Sequence, residues 1–338
     1  MVDPESSASS IETFDVKHVP FLIQTVEGKG LGIVANCDFQ PGQLILSEAV
    51  LILSRQETSD CLTANQTRQI FKQLARLTMS QREKMMELHC MGETKILNVF
   101  RMNCIHVDET SFGLYLTISR VNHSCCPNSV DCRGSVKELR AMKHIRKGEE
   151  ITMSYIVNNW DTQMSRRREL RYWQFVCECD ACSLSGGDLK TNENIRKEII
   201  KTDEEVSKFV SDIIAVQNNA ANMSEDDRRL LQCQIYVNLR QMARIAEDRL
   251  DLLYKLKHQM MKQLFIAHLH CLLIYCKARA VGVISVEQTD KRVVNHGLWL
   301  EKMSGWSKDW RHQLCEAVGR GMLFSVEQIG VNYLTMIR

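Results

Sequence analysis

Apolar positions follow two different rhythms along this chain. In the first half they come as short runs broken by turn residues, the mark of strands. Gly28-Lys29-Gly30-Leu31-Gly32 leads into Ile33-Val34-Ala35, Pro41-Gly42 punctuates before Leu44-Ile45-Leu46, and a further run covers Val50 to Leu53. Helical spacing then takes over from about 64 to 98, through Ile70, Leu74, Leu77, Met85 and Leu88. Val136 to Tyr155 reads as two strands joined by the turn Arg146-Lys147-Gly148-Glu149. A helix over roughly Thr162 to Phe175 follows, and Gly186-Gly187-Asp188 signals a boundary.

Beyond that boundary the pattern is helical throughout. Ile195, Ile199, Val206, Phe209 and Ile213 mark one helix, and Leu231, Ile235, Leu239, Met242 and Ala246 a second. Further helices are expected over Leu252 to Ala280, Val293 to Met303 and Asp309 to Ile329, arranged as antiparallel pairs. The class is α+β: a β-rich half with a helical insertion, then an all-α half. The expected division is a disordered Ser-rich, acidic tail over 1–18, a β-rich domain over 19–185 and a helical domain over 186–338.

Composition narrows the function classes. Of the 338 residues, 44% are hydrophobic and 25% charged, and the net charge is +2. That balance suits a folded protein and offers no global field for nucleic acid or an anionic membrane. The apolar run Leu264 to Cys276 is interrupted by His268 and His270 and is too short to span a bilayer. Fourteen cysteines without a secretory signal segment point to a reducing compartment, cytoplasmic and/or nuclear. A monomer is expected, with no direct nucleic-acid or membrane contact.

Two cysteine-bearing segments carry the chemistry. One is Asn122-His123-Ser124-Cys125-Cys126-Pro127-Asn128, and the other is Cys177-x-Cys179-x-x-Cys182, over a segment of about 172–185. Three thiolates so close together either share a metal or are reactive thiols, and tetrahedral zinc needs a fourth ligand. Cys125 or Cys126 is the natural fourth, with Cys125 preferred. Four thiolates would leave no open position for water, so the site would be structural.

Taken together, Gly30-x-Gly32, Gly113-Leu114-Tyr115, Asn122-His123-Ser124-Cys125-x-Pro127-Asn128, Gly148-Glu149-Glu150-Ile151-x-x-x-Tyr155 and the cysteine cluster resemble the SET domain of the SET-and-MYND family of lysine methyltransferases. The likeness covers about residues 19–185, and the cluster would be that family's post-SET zinc segment. The MYND zinc finger of that family needs a dense cysteine/histidine set after the early strands. Between Leu53 and Leu88 only Cys61 is present, so a finger is not expected.

The resemblance implies S-adenosylmethionine as methyl donor, zinc as a structural ion and a protein or peptide lysine as substrate. Lys29, Gly30 and Gly32 would approach the donor's carboxylate, Asn122 its amino-acid end and His123 its adenine. Ser119 and Asn103 would be further pocket residues, with Phe175 among the aromatics. Tyr155 would point its hydroxyl at the transferring methyl, orienting rather than acting as a base. Two features depart from the family: Leu31 stands where a polar residue is usual, and Trp173 where a tyrosine is usual, with Tyr172 as its possible substitute. They favour the rival reading, a SET fold with weak or no catalysis that binds peptides or acts as a scaffold.

Overall fold

The computed structural model describes residues 19–55, 62–90, 95–108, 110–131, 135–156, 159–218, 222–256, 261–280, 295–296 and 298–300. The expected tail over 1–18, the helix over 309–329, Cys61 and most of 293–303 lie outside these residues.

The β-rich half contains ten short strands: β1 (Phe21–Val26), β2 (Gly30–Ala35), β3 (Leu44–Ala49), β4 (Ile52–Arg55), β5 (Ile105–His106), β6 (Ser111–Leu114), β7 (Asn122–His123), β8 (Ser129–Asp131), β9 (Val136–Ala141) and β10 (Glu150–Met153). They form three small sheets in the orders β1-β2-β10-β7, β3-β9-β8 and β4-β6-β5. The two strands expected over Val136 to Tyr155 do form, but in different sheets. β9 pairs antiparallel with β3 and β8, whereas β10 pairs antiparallel with β2 and parallel with β7. The reason lies in the connecting turn, whose Gly148 takes φ +88° and donates its N–H to the Ala35 carbonyl at 2.8 Å. That bond carries the chain away from β9 to the edge of β2. Between the sheets lies a core of Ile33, Phe39, Ile45, Tyr115, Ile118, Leu139, Ile145 and Ile151, with Met153 at its margin.

The helical insertion is three helices, α1 (Ala64–Leu74), α2 (Met79–Met86) and α3 (Lys95–Asn103). The first two start at the same signal. Thr63 and Gln66, and again Thr78 and Gln81, form reciprocal capping boxes, each contributing about 1 kcal/mol. α1 lays Ile70 and Leu74 against Ile52, Val99 and Leu114. The helix expected over Thr162 to Phe175 is shorter: α4 (Gln163–Leu170) ends in a 3₁₀ turn over Arg171–Trp173. Gln174 then takes a left-handed φ of 56° and turns the chain toward the cysteines.

Gly186 opens a helix rather than a linker. Three long helices follow, α5 (Gly186–Asn218), α6 (Glu225–Lys255) and α7 (Met261–Ala280). Leu252 belongs to α6, so the single helix expected over Leu252 to Ala280 is two. Val206, Phe209, Leu239, Leu250, Leu264 and Leu272 share a core, which Met142 of the β-rich half also enters. No described helix is long and apolar enough to cross a membrane.

This helical core holds a directional chain of polar groups. The Glu247 carboxylate accepts from Tyr275 Oη at 3.0 Å and faces His296 Nε2 at 3.2 Å. A carboxylate only accepts, so His296 carries its proton on Nε2 and accepts at Nδ1. His268 Nδ1, 3.0 Å away, must then donate, leaving its Nε2 to accept from Tyr254 Oη at 3.0 Å. His270 Nδ1 faces the Arg249 guanidinium at 3.1 Å and is likewise an acceptor. Burial pulls both His268 and His270 down to about 3 from an ordinary 6.5, and the Arg249 charge adds to the effect at His270. A depressed histidine contributes stability that is complete above its unfolded value and lost as pH falls toward its folded value. Urea unfolding followed by helical circular dichroism should therefore show stability holding above pH 6.5 and falling between there and about 3. Each histidine adds a slope of about 1.4 kcal/mol per pH unit within that window. His270→Gln should flatten the slope; an unchanged slope would show that the buried histidines do not set it.

Candidate active site and thiol cluster

The site is organised around β7, which is only two residues long. Its parallel pairing sets Asn122 beside Thr152 and His123 beside Met153. Asn128 fastens the loop that follows: its Oδ1 accepts Thr152 N–H at 2.8 Å and its Nδ2 donates to the Glu150 carbonyl at 2.8 Å. One short segment thus presents Asn122 to the β2 side, His123 to Tyr155 and Cys125 to the second cysteine segment.

At the β2 side the centre is a carboxylate that the sequence reading passed over. Glu150 Oε2 lies 2.5 Å from Lys29 Nζ, and its Oε1 accepts from Asn122 Nδ2 at 2.9 Å. Asn122 Nδ2 also reaches the Leu31 carbonyl at 3.3 Å. Lys29, expected to hold a ligand carboxylate, is therefore already paired, although an ammonium has two further protons to offer. Gly30 takes φ +76°, which only glycine adopts without strain. Gly32 is constrained differently: a Cβ there would meet Asn122 Nδ2 at 2.6 Å and Val26 Cγ2 at 2.8 Å.

Aromatic rings fill the middle. His123 packs with both Tyr155 and Phe175, ring centroids 5.3 and 5.8 Å away, those two rings lie 6.4 Å from each other, and Trp173 lies 5.3 Å from Tyr155. His123 Nδ1 accepts the Tyr155 backbone N–H at 3.0 Å, so the ring proton sits on Nε2, 3.2 Å from Cys125 Sγ. Burial holds His123 down at about 4, keeping it neutral. Tyr155 Oη donates to the Val121 carbonyl at 2.7 Å. Burial, and then the negative charge of Glu150, push its phenol above the ordinary range.

On the far side of Tyr155 is a cavity of about 170 Å³. Its walls include Met102, Ile105, Ile118, Met142 and Ile156, closed by Trp173. Asn103 and Ser119 line this cavity, whereas Lys29, Gly30, Gly32, Asn122, His123 and Phe175 do not. Both polar side chains are committed to backbone. Asn103 Nδ2 donates to the His89 and Val99 carbonyls, each at 2.7 Å, and Ser119 Oγ donates to the Asn103 carbonyl at 2.8 Å. They shape the cavity wall and do not join the Lys29 end. Trp173 fills two roles: it bounds the cavity, and its Nε1 donates to the Met102 carbonyl at 3.3 Å.

The Sγ atoms of Cys125, Cys177, Cys179 and Cys182 all lie within 4.8 Å of one another. Cys125 is 3.9 Å from Cys177 and 3.6 Å from Cys182. A tetrahedral zinc with bonds of about 2.3 Å would set sulfurs about 3.8 Å apart, so the donors and their spacing fit that ion. Cys126 stands beside this set and is not part of it. Among four such neighbours the thiols cannot all ionise alone. Hydrogen bonds from Cys177, Cys179 and Cys182 push Cys125 up, while those from Cys125 and its neighbours hold Cys179 down. A divalent cation would replace the shared protons.

The SET domain family matches residues 30–156. The histone-lysine N-methyltransferase set5 of Schizosaccharomyces pombe is 25% identical over 183 residues, 52% of this chain and 54% of the relative. The human N-lysine methyltransferase SMYD2 is 26% identical over 159 residues, 47% of this chain and 35% of the relative. The chain thus spans about half the length of one relative and about a third of the other. Among solved structures, the SET domain of LSMT bound to lysine and AdoHcy covers 93% of this chain and 92% of its own, at 11% identity and a TM-score of 0.32.

The crowding at Gly32 yields a test. Gly32→Ala should cost about 1–3 kcal/mol of stability in urea unfolding and displace Asn122. Gly187→Ala is the control, because nothing lies within 4 Å of the added carbon and the site is helical. Equal stability of the two variants would show that Gly32 is not a close-approach position.

Proposed function

We propose that the SET domain over residues 30–156 makes this chain an S-adenosylmethionine-dependent protein-lysine N-methyltransferase. The observation that carries the reading is Tyr155, set between the Asn122–His123 turn on one side and a cavity of mixed apolar and polar walls on the other. Those are the two approaches that a methyl donor and an acceptor amine need.

When bound, S-adenosylmethionine supplies a methyl group on a sulfonium sulfur. Asn122, Glu150 and Lys29 are the groups to hold its amino-acid end: the carboxylate of Glu150 suits an ammonium, and the spare protons of Lys29 suit a carboxylate. Gly30 and Gly32 let backbone come close. His123 and Phe175 offer ring surface to the adenine.

The lysine side sets the energetic problem. A free lysine has a pKa of about 10.4, so forming the neutral amine near pH 7.4 costs roughly 4 kcal/mol. The apolar part of the cavity wall lowers that cost by disfavouring the ammonium, while Asp131, which also lines the cavity and is paired with Lys137, acts the other way. Tyr155 is no proton sink, because its phenol is held above the ordinary range and its proton is engaged by the Val121 carbonyl. Its role is to fix the approach line with the remaining lone pairs of its oxygen, and alignment of this kind contributes up to roughly 7–11 kcal/mol.

Cys125, Cys177, Cys179 and Cys182 hold a structural zinc, and α5, α6 and α7 belong to an all-α domain beside the SET domain. The substrate is a protein lysine, met in the cytoplasm, the nucleus or both, and the chain works as a monomer. A second reading is a catalytically weak SET fold that binds peptides. The Lys29–Glu150 ion pair and the Trp173 wall favour it, because each occupies space that an active pocket would leave open.

Calorimetry with S-adenosylmethionine and a peptide array with labelled donor separate the two. Micromolar donor binding and methyl transfer are expected. Tyr155→Phe should keep donor affinity and lose transfer by about 100-fold or more. A folded, zinc-loaded chain that binds no donor would leave only the peptide-binding reading.

A further inference from the structure

Three side chains with metal-binding atoms meet in the helical half, outside the four-cysteine set. Glu247 lies on α6, Cys271 on α7 and His296 beyond the end of α7. Their ligand atoms all lie within 4.8 Å of one another. His296 Nε2 is 3.2 Å from Glu247 Oε1, and Tyr275 Oη, one turn along α7 from Cys271, donates to the same oxygen at 3.0 Å. Cys271 is fully buried and His296 nearly so. Glu247 keeps 28% of its side chain exposed, which gives an ion a way in.

The donor chemistry selects the ligand. One thiol, one imidazole and one carboxylate form a mixed set that suits zinc or its late first-row neighbours, and not magnesium or calcium, which want oxygen. Tetrahedral zinc sets such donors about 3.3–3.6 Å apart. The His296–Glu247 pair is already close to that spacing, and the sulfur needs to move by no more than about 1 Å. Charge balances as well: a carboxylate and a thiolate neutralise one divalent ion, so the loaded site can stay buried. To bind, Cys271 releases its thiol proton to solvent, and His296 frees Nε2 by carrying its ring proton on Nδ1. That proton faces His268 Nδ1 at 3.0 Å, and His268 accepts it by carrying its own on Nε2 beside Tyr254 Oη. Both rings change tautomer and neither changes charge. A histidine ligand held at its other nitrogen is the common arrangement around a bound metal. We propose that Glu247, Cys271 and His296 form a second metal site, for zinc or a similar divalent ion, with three protein ligands and a fourth position left for water. The ion joins α6, α7 and the chain at 296, and the assignment is independent of methyl transfer.

The test uses the full chain, reduced, stripped of metal and titrated with zinc against a chromophoric chelator. Wild type should take up two equivalents. Cys271→Ala and Glu247→Gln should lose one equivalent and keep the other, and Cys177→Ser should do the reverse. His268→Phe should weaken the second site by roughly 10–100-fold. Cobalt gives a readout that needs no variant: the second equivalent should add a sulfur-to-cobalt band about a quarter as intense as the first, one thiolate against four. A wild type that takes one equivalent, lost in Cys177→Ser and kept in Cys271→Ala, overturns the proposal and leaves the zinc reading of the four cysteines intact. A second equivalent that Cys271→Ala and Glu247→Gln both retain sits elsewhere and overturns it too. So does a second cobalt equivalent without a sulfur band, which decides the matter even where a variant fails to fold. One equivalent lost only in Cys271→Ala and Glu247→Gln supports the proposal and overturns the four-cysteine site instead.

Discussion

Like charges crowded into an apolar interior set the terms for this protein. Four sulfurs within 4.8 Å of one another cannot all be thiolates without a cation. Two of the rings around Tyr155 are attached to that knot. Cys125 follows His123 by two residues, and His123 Nε2 points at its sulfur. Phe175 precedes Cys177 by two residues and closes on His123. The ring cage is therefore positioned jointly by the cluster and by the β7–β10 pairing.

The cavity side depends on a different joint. The last turn of α3 leaves carbonyls without helical partners. Tyr172 Oη donates to the Arg101 carbonyl at 3.4 Å and Trp173 Nε1 to that of Met102 at 3.3 Å. The segment leading into the cysteines is thus clamped to the insertion, and the insertion walls the cavity. Residues distant in sequence share one wall because two aromatic donors meet two orphan acceptors.

Much of this was legible before any coordinates. The spacing of Cys177, Cys179 and Cys182 with Cys125 marked a four-sulfur set, and those sulfurs do converge. The Asn122-His123 turn and Tyr155 meet as the motif order suggested. The helical insertion was visible in its periodicity, and Thr-x-x-Gln at Thr63 and Thr78 could have fixed two helix starts. What stayed hidden depends on tertiary pairing. Nothing in Gly148-Glu149-Glu150 says that the second carboxylate bridges Lys29 and Asn122, since that requires β10 to lie between β2 and β7. Ser119 and Asn103 carry ligand-like chemistry in sequence, yet backbone carbonyls consume their donors. Arg166 stands in a run of three arginines, and only the α4 helix turns it inward while Arg167 and Arg168 stay exposed.

The two-residue strand β7 has a temporal consequence. Both β8 and β9 lie in the chain between it and β10, so its pairing is non-local. Parallel contacts across such a span form late, once loop-closure entropy has been offset by more local structure. The Asn122–His123 turn is therefore a late arrival relative to the hairpins that precede β10 in the chain, and the long helices α5, α6 and α7 follow it in sequence.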